Sequence, residues 1–306
     1  MVVSAVEASG ARPGLTWGRF RRKATPYVFI SPFYILFLVF GAFPILFSGL
    51  ISLTQWDGIR QPKFVGLANY HTLFSDPSFP RALGNIVLIG LGYQPLFLVL
   101  ALLFAVILNA RSVRFRTLFR TVYFLPVVTS LVVVGLVFSM LFDTKFGLVN
   151  YLLGLLGVSP LSWLTNADLM KSVVCAALVW RWTGNEMVIM LAGLQSIPPD
   201  VYEAATVDGA GVVQTFLRIT VPLMQPVLVF CVLMSTIGTF NIFDEAYLLF
   251  GTTGGAREAG LVPGVFLYRA AFEYFKLGYA SAFSYVLGAI IVCLSAANLW
   301  LGRGRD

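Results

Sequence analysis

Six polar side chains interrupt two apolar runs that would otherwise be buried whole. Arg181, Asn185 and Glu186 stand in one run, with Trp180 and Trp182 beside them; Asn241, Asp244 and Glu245 stand in the other. A charge inside such a segment costs about 2.5–3.5 kcal/mol on insertion scales, so it should face a cavity or a partner. One chemistry open to this set is a pocket for a polar solute. Asn185 and Asn241 would hydrogen-bond hydroxyls, Trp180 or Trp182 would stack on a ring, and Asp244 would add an acceptor. A second is ion coupling, with Asp244 and Glu245 loading a proton or a sodium ion. A third is structural: the same groups bond helix to helix or pair with a partner subunit. At 100° per residue Arg181 and Glu186 point about 140° apart, so one helix face cannot pair them. Arg181 and Asn185 are i and i+4 and can be neighbours. Asn241, Asp244 and Glu245 would share one face of a continuous helix.

Bond-breaking chemistry has little to work with. The single histidine, His71, lies in a connection between apolar runs, so no Ser-His-Asp triad or H-E-x-x-H site can be assembled inside them. No G-x-x-x-x-G-K-[ST] phosphate cradle exists. Cys175, Cys231 and Cys293 are far apart and all within apolar runs, which excludes a disulfide scaffold or a zinc site. The chain reads as no enzyme and holds no cofactor of its own. Energy for any transport must come from a partner or from a gradient.

The elements that must position these residues follow from composition. Of 306 residues, 58% are apolar and 11% charged, against about 25% charged in a soluble domain. The bilayer must therefore be a large part of the solvent, and a nucleic-acid binder is excluded despite the +7 charge. A hydrocarbon core needs about 20 apolar residues as helix. Six runs qualify: 27–53, 82–109, 121–142, 172–194, 223–250 and 278–301. The first is too long for a signal-peptide core. The predicted fold is an all-α polytopic membrane protein with six transmembrane helices over 27–301, an N-terminal segment 1–26 and a tail 302–306. Arg12, Arg19, Arg21, Arg22 and Lys23 precede the first span, and Arg111, Arg114, Arg116 and Arg120 fill the second connection. Arg218, Arg303 and Arg305 lie on the same side. That bias predicts both termini in the cytoplasm. The three opposite connections, 54–80, 143–171 and 251–277, are too short for folded domains, and 149–157 has the look of a short interfacial helix. Pro32, Pro44, Pro95 and Pro126 interrupt spans, either as packed kinks or as parts of a moving pathway.

One connection on the cytoplasmic side, 195–222, is unlike a solvated loop. Val201, Tyr202, Ala204, Ala205, Val212, Val213, Phe216, Leu217 and Ile219 make it apolar. Pro198-Pro199 suits a helix start and Asp200 and Glu203 suit its first turn. Asp208-Gly209 signals a turn, and a second short helix fits 211–219. This predicts a helix–turn–helix whose apolar stripe either packs on the chain's own helices or waits for a protein partner.

At these residues the sequence resembles a family. Glu203-Ala204-Ala205, Asp208-Gly209-Ala210, Phe216, Ile219, Pro222 and Pro226 are similar to the EAA loop of binding-protein-dependent ABC importer permeases. Phe64-Val65-Gly66-Leu67-Ala68-Asn69-Tyr70, Asn241-Ile242-Phe243-Asp244 and Gly278-Tyr279-Ala280-Ser281-Ala282 resemble its carbohydrate-uptake (sugar/glycerol-phosphate) branch. Gly251-Thr252-Thr253-Gly254-Gly255 departs from the commoner TGGGP-like stretch. The resemblance implies a type I ABC importer (MetI-like) permease fold with a cytoplasmic coupling helix, in a bacterial or archaeal cytoplasmic (inner) membrane. It implies a second permease subunit in a heterodimer, a dimer of ATP-binding subunits that holds ATP and Mg, and an extracytoplasmic solute-binding protein that delivers a sugar. It also assigns roles. Glu203 would hold a basic ATPase residue, Ala204 and Ala205 would allow close approach, Gly209 would make the turn, and Asp208 would brace it. The competing readings are an ion-coupled secondary transporter using Asp244/Glu245 and a membrane scaffold without transport.

Overall fold

The computed structural model describes residues 15–110 and 113–303, with side chains placed for 25–110 and 113–302. Arg12, Arg111 and Arg305, which weigh in the orientation reading, lie outside the described residues, as do the side chains of Arg19, Arg21, Arg22, Lys23 and Arg303.

Apolar length sets the frame. Among the described residues, four helical stretches are long and apolar enough to cross a bilayer: Thr25–Ser52, Ser78–Asn109, Gln225–Phe250 and Leu277–Gly302. The first is α1 (Leu15–Phe37) continued through a π turn (Leu38–Ala42) into α2 (Phe43–Ser52). Pro44 cannot donate to the Phe40 carbonyl and its ring crowds that oxygen. The wider π turn just before it absorbs both effects. A short antiparallel pair, β1 (Thr54–Gln55) and β2 (Lys63–Phe64), and α3 (Ala68–Ser75) lead into α4 (Ser78–Asn109). Asn69 donates to the carbonyls of Ser52 and Thr54 at 2.8 Å each, so this part of the motif closes the end of α2.

The third expected span is not one helix. α5 (Arg116–Val128) and α6 (Leu131–Leu141) meet at 94°. Pro126 lies inside the last turn of the first, and Thr129 and Ser130 are extended between them. After α7 (Leu148–Leu155) comes α8 (Ala167–Gln195), 29 residues long and diluted by Arg181 and Glu186. It begins five residues earlier than the apolar run because Asn166 caps it, accepting from the Asp168 amide at 3.0 Å. Neighbouring helices shield it: Met170, Val174, Leu178, Met187 and Met190 are all buried. Counting α8 and the bent pair, the helices are compatible with six spans.

Next come α9 (Pro199–Val207), α10 (Val212–Thr215), a second π turn (Phe216–Thr220) and α11 (Val221–Leu223). Here Pro222 follows the π turn just as Pro44 follows the first. The fifth span is then broken: α12 (Gln225–Phe240) and α13 (Asp244–Phe250) are separated at 241–243, where Phe243 has φ −136° and ψ −58°. Asn241, Asp244 and Glu245 therefore do not share a face of one continuous helix. α14 (Pro263–Tyr268) and a last π turn (Arg269–Glu273) precede α15 (Leu277–Arg303).

α4 and α8 form the central pair, with Ile86, Ile89, Tyr93 and Phe97 of α4 clustered with Met170, Val174 and Leu178 of α8. Ala101 and Ala105 continue that seam toward Met187, Met190 and Leu194. Lipid gives helices no hydrophobic reason to associate, so small residues that permit close contact decide the packing. Gly184 of α8 lies directly against the Tyr123 carbonyl of α5, where a Cβ has no room. Polar pins add direction. Gln94 donates to Ser235 at 2.6 Å, Asn298 donates to Thr236 at 3.2 Å, and Tyr93 is hydrogen-bonded to Thr239 at 2.7 Å.

Candidate functional site

The 195–222 connection is two-sided. On α9, Ala205 is buried, and Val201 and Tyr202 pack on the cluster of Leu194, Ile197 and Met224. The Tyr202 hydroxyl lies 3.3 Å from the Thr220 hydroxyl and ties α9 to the helix that follows. Part of the apolar stripe thus packs on the chain's own helices. The rest does not. Val207 and Val212 are 87% and 88% exposed, and Val213 and Leu217 are exposed beside them.

The turn between the helices is a Schellman closure. The Ala210 amide donates to the Ala205 carbonyl at 2.9 Å and the Gly209 amide to the Thr206 carbonyl at 3.1 Å. Gly209 has φ +78°, which a residue with a Cβ adopts only at a cost. These main-chain bonds brace the turn. The Asp208 carboxylate, expected to do so, makes no hydrogen bond among the described residues. Glu203 and Ala204 are exposed, and Glu203 edges a recess of about 410 Å³ with Asn109, Gln195, Pro199 and Thr206. The outer surface thus presents a carboxylate with no ion pair among the described residues, a small residue and a rim of bare valines.

In the spans, the sequence-predicted residues separate into three groups. Arg181 does not turn to Glu186 or Asn185. Its Nη1 donates to Glu245 Oε1 of α13 at 2.9 Å, with Glu245 buried and Arg181 nearly so. Its guanidinium also lies 5.2 Å from the Trp182 ring centre, while Nε has no hydrogen-bond partner among the described residues. Glu186 is buried beside Cys231 of α12, and one carboxyl oxygen is unpartnered. Trp180 and Trp182 are partly exposed, Trp180 tilted on Phe138 at 5.8 Å. Asn185 and Asp244 are half-buried and make no side-chain hydrogen bond among the described residues. Asn241 is exposed and donates to the Ile237 carbonyl of its own helix at 2.8 Å. The structure therefore brings Arg181, Trp182 and Glu245 together, rests Trp180 on Phe138, and leaves Asn185 and Asp244 without a side-chain hydrogen bond among the described residues. Glu245 is engaged with a guanidinium, which does not support its use as an ion-loading carboxylate.

Sequence reading missed a charge cluster at the opposite end of the bundle. Glu258 accepts from Arg81 at 2.6 Å and from Arg269 at 3.0 Å. Asn85 donates to the carbonyls of Glu258 at 2.7 Å and Leu261 at 2.9 Å. Burial opposes the charge on Glu258, but the two guanidinium hydrogen bonds outweigh it and hold the carboxyl below its ordinary range. Arg81 and Glu258 stand 177 residues apart, and no local pattern links them.

Comparison with known proteins places the chain in a family. Residues 97–304 match the model of the binding-protein-dependent transport system inner membrane component. The chain belongs to that family. The permease is 36% identical over 301 residues to the arabinooligosaccharides transport system permease protein AraP of Bacillus subtilis, covering 98% of this chain and 94% of that one. It is 36% identical to the lactose transport system permease protein LacF of Rhizobium radiobacter, covering 91% and 94%. Its fold is that of a bacterial ABC transporter involved in the import of the acidic polysaccharide alginate, with a TM-score of 0.82 at 24% identity, covering 95% of this chain and 99% of that one. A second structure of an alginate ABC transporter, solved with an alginate pentasaccharide-bound periplasmic protein, matches equally, at 0.82. The permease is thus a multi-pass membrane protein with the type I ABC importer fold.

Proposed function

We propose that this permease is the membrane-spanning subunit of an ATP-driven importer that moves a mono- or oligosaccharide into the cytoplasm by alternating access. Its likeness to arabinooligosaccharide and lactose permeases supports the sugar, and the two-sided α9–α10 connection carries the coupling. The inner face of α9 is fixed to the cluster around Leu194 and Met224, while Glu203 and the Val207–Val213 rim are left for an ATP-binding subunit. Force applied there reaches α8 and α12 through the packed inner face. ATP and Mg belong to a dimer of that subunit, a second permease completes the pathway, and a solute-binding protein delivers the sugar from outside. The α9–α10 end and both termini then face the cytoplasm.

In the pathway, Asn185 and Asp244 are the free polar contacts for a sugar, with the exposed parts of Trp180 and Trp182 beside them. The Arg181–Glu245 pair is electrically closed, which favours an uncharged solute. The test is uptake by proteoliposomes holding the whole transporter, with ATP enclosed and binding protein outside. ATP-dependent accumulation of a labelled mono- or oligosaccharide is expected. Accumulation driven by a proton gradient without ATP, or none of any saccharide offered, would overturn the proposal.

A further inference from the structure

The segment between α6 and α8 is built around two polar side chains, Asp143 and Asn150. Asp143 accepts from the amides of Lys145 and Phe146 at 2.8 Å each. Asn150 donates to the Thr144 carbonyl at 3.1 Å and the Leu161 carbonyl at 2.9 Å, and accepts from the Leu161 amide and the Trp163 indole at 3.1 and 2.9 Å. Gly147 is buried in this turn, where a Cβ would strike the Asp143 backbone. The exposed polar side chains are Lys145 before α7, Tyr151 on it, and Ser159, Ser162, Thr165 and Asn166 after it. The Tyr151 hydroxyl apart, what α7 itself turns outward is apolar. Leu148, Tyr151, Leu152 and Leu155 of α7 stand at i, i+3, i+4 and i+7 and are 51–69% exposed. Phe146 and Leu156 extend the stripe at either end, at 91% and 80% exposed.

Two observations select the occupant. First, the stripe follows in sequence an exposed apolar face of α6, the second half of the bent span. Val132, Val133, Leu136, Val137 and Met140 of α6 are all exposed, and α6 ends only at Leu141. Second, the stripe offers one polar atom, the Tyr151 hydroxyl. Protein interfaces carry roughly one hydrogen bond per 100–200 Å² and need such groups to fix their register. A lipid surface needs none. Lys145 stands exposed beside Phe146, where its ammonium can reach headgroups while its stem lies along the apolar face.

We propose that α7 lies in the membrane–water boundary at the end of the bundle opposite α9–α10, with the Leu148–Tyr151–Leu152–Leu155 stripe seated on phospholipid. There it anchors the bent α5–α6 span and the start of α8 at a fixed depth. An interfacial helix of this kind buries its apolar face about 5–10 Å into the headgroup–acyl boundary.

The test uses the whole transporter in nanodiscs of phosphatidylcholine and phosphatidylglycerol. Cys175, Cys231 and Cys293 are replaced by Ala, and a nitroxide is attached at Leu152→Cys. Oxygen, which concentrates in the bilayer, should relax the probe several-fold more than a water-soluble nickel chelate does. Strong relaxation by the chelate would place the stripe in water and overturn the proposal. Protection from both reagents would show a protein covering it and overturn it equally. Leu156→Cys serves as a second probe position should Leu152→Cys not assemble, with the same expected and overturning results.

Discussion

Two connections of the bundle, 195–222 and 251–262, solve opposite problems. The second is finished by its own chain. Leu261 and Val262 are fully buried, Asn85 holds two of its carbonyls, and Arg81 and Arg269 neutralise Glu258. Arg257 and Glu258 are even held at φ +52° and +55°, a conformation that such pinning must sustain. The first connection is finished on one side only. Tyr202 and Ala205 close its inner face, and its outer face ends in bare valines and a Glu203 with no ion pair among the described residues. The difference teaches what each end is for. One end fixes its own shape, and the other offers a fixed shape to something else. On the proposed function, rigidity on the inner face would let a contact on the outer face move helices.

Breaking the exposed turn should have the largest effect. Gly209→Pro removes the amide that bonds the Thr206 carbonyl and forces φ to about −65°. Uptake should fall to background while surface biotinylation shows normal insertion. Unchanged uptake would remove the coupling role. Next comes the buried pair between the two ends. Arg181→Ala leaves Glu245 charged and unpartnered, and truncating one member of such a pair costs about 3–5 kcal/mol. The thermal midpoint in detergent should drop markedly, and the double variant Arg181→Met with Glu245→Leu should recover most of it. A smaller loss is expected at the self-finished end. Asn85→Ala strips two carbonyls of their donor, about 1–3 kcal/mol, read in the same melt. Glu258→Gln should cost least and should be pH-dependent. The folded carboxyl lies below its ordinary 4.5, so its contribution is complete above that pH and fades as pH falls through the folded value. The gap between the wild-type and Glu258→Gln midpoints should therefore be present at pH 7 and close in acid.

Much of this was legible from local pattern. Apolar runs located the helices, and Pro199 and Gly209 bounded α9 because a first-turn proline and an αL glycine act within a few residues. Asn166 could have been read as a cap and was not. The break at 241–243 left no local signal, since Phe240, Ile242 and Phe243 prolong an apolar helix pattern. There the Glu245 bond to Arg181, made across the bundle, accompanies a geometry that propensity does not foretell. The bend at Thr129–Ser130 did have a mark in Pro126, but other prolines, such as Pro95 inside α4, leave their helix unbroken. At the site, Glu203, Ala205 and Gly209 were readable as a motif. The division of the apolar stripe into packed and bare halves was not, because it depends on where α8 and α12 lie.

The most direct measurement is co-purification from native membranes through a tag at the C-terminus, in mild detergent, with Glu203→Arg run beside the wild type. A P-loop ATPase should accompany the wild type and be lost with Glu203→Arg, while a second polytopic subunit stays attached to both. An ATPase retained by Glu203→Arg, or absent from both samples with the second subunit present, would contradict the account.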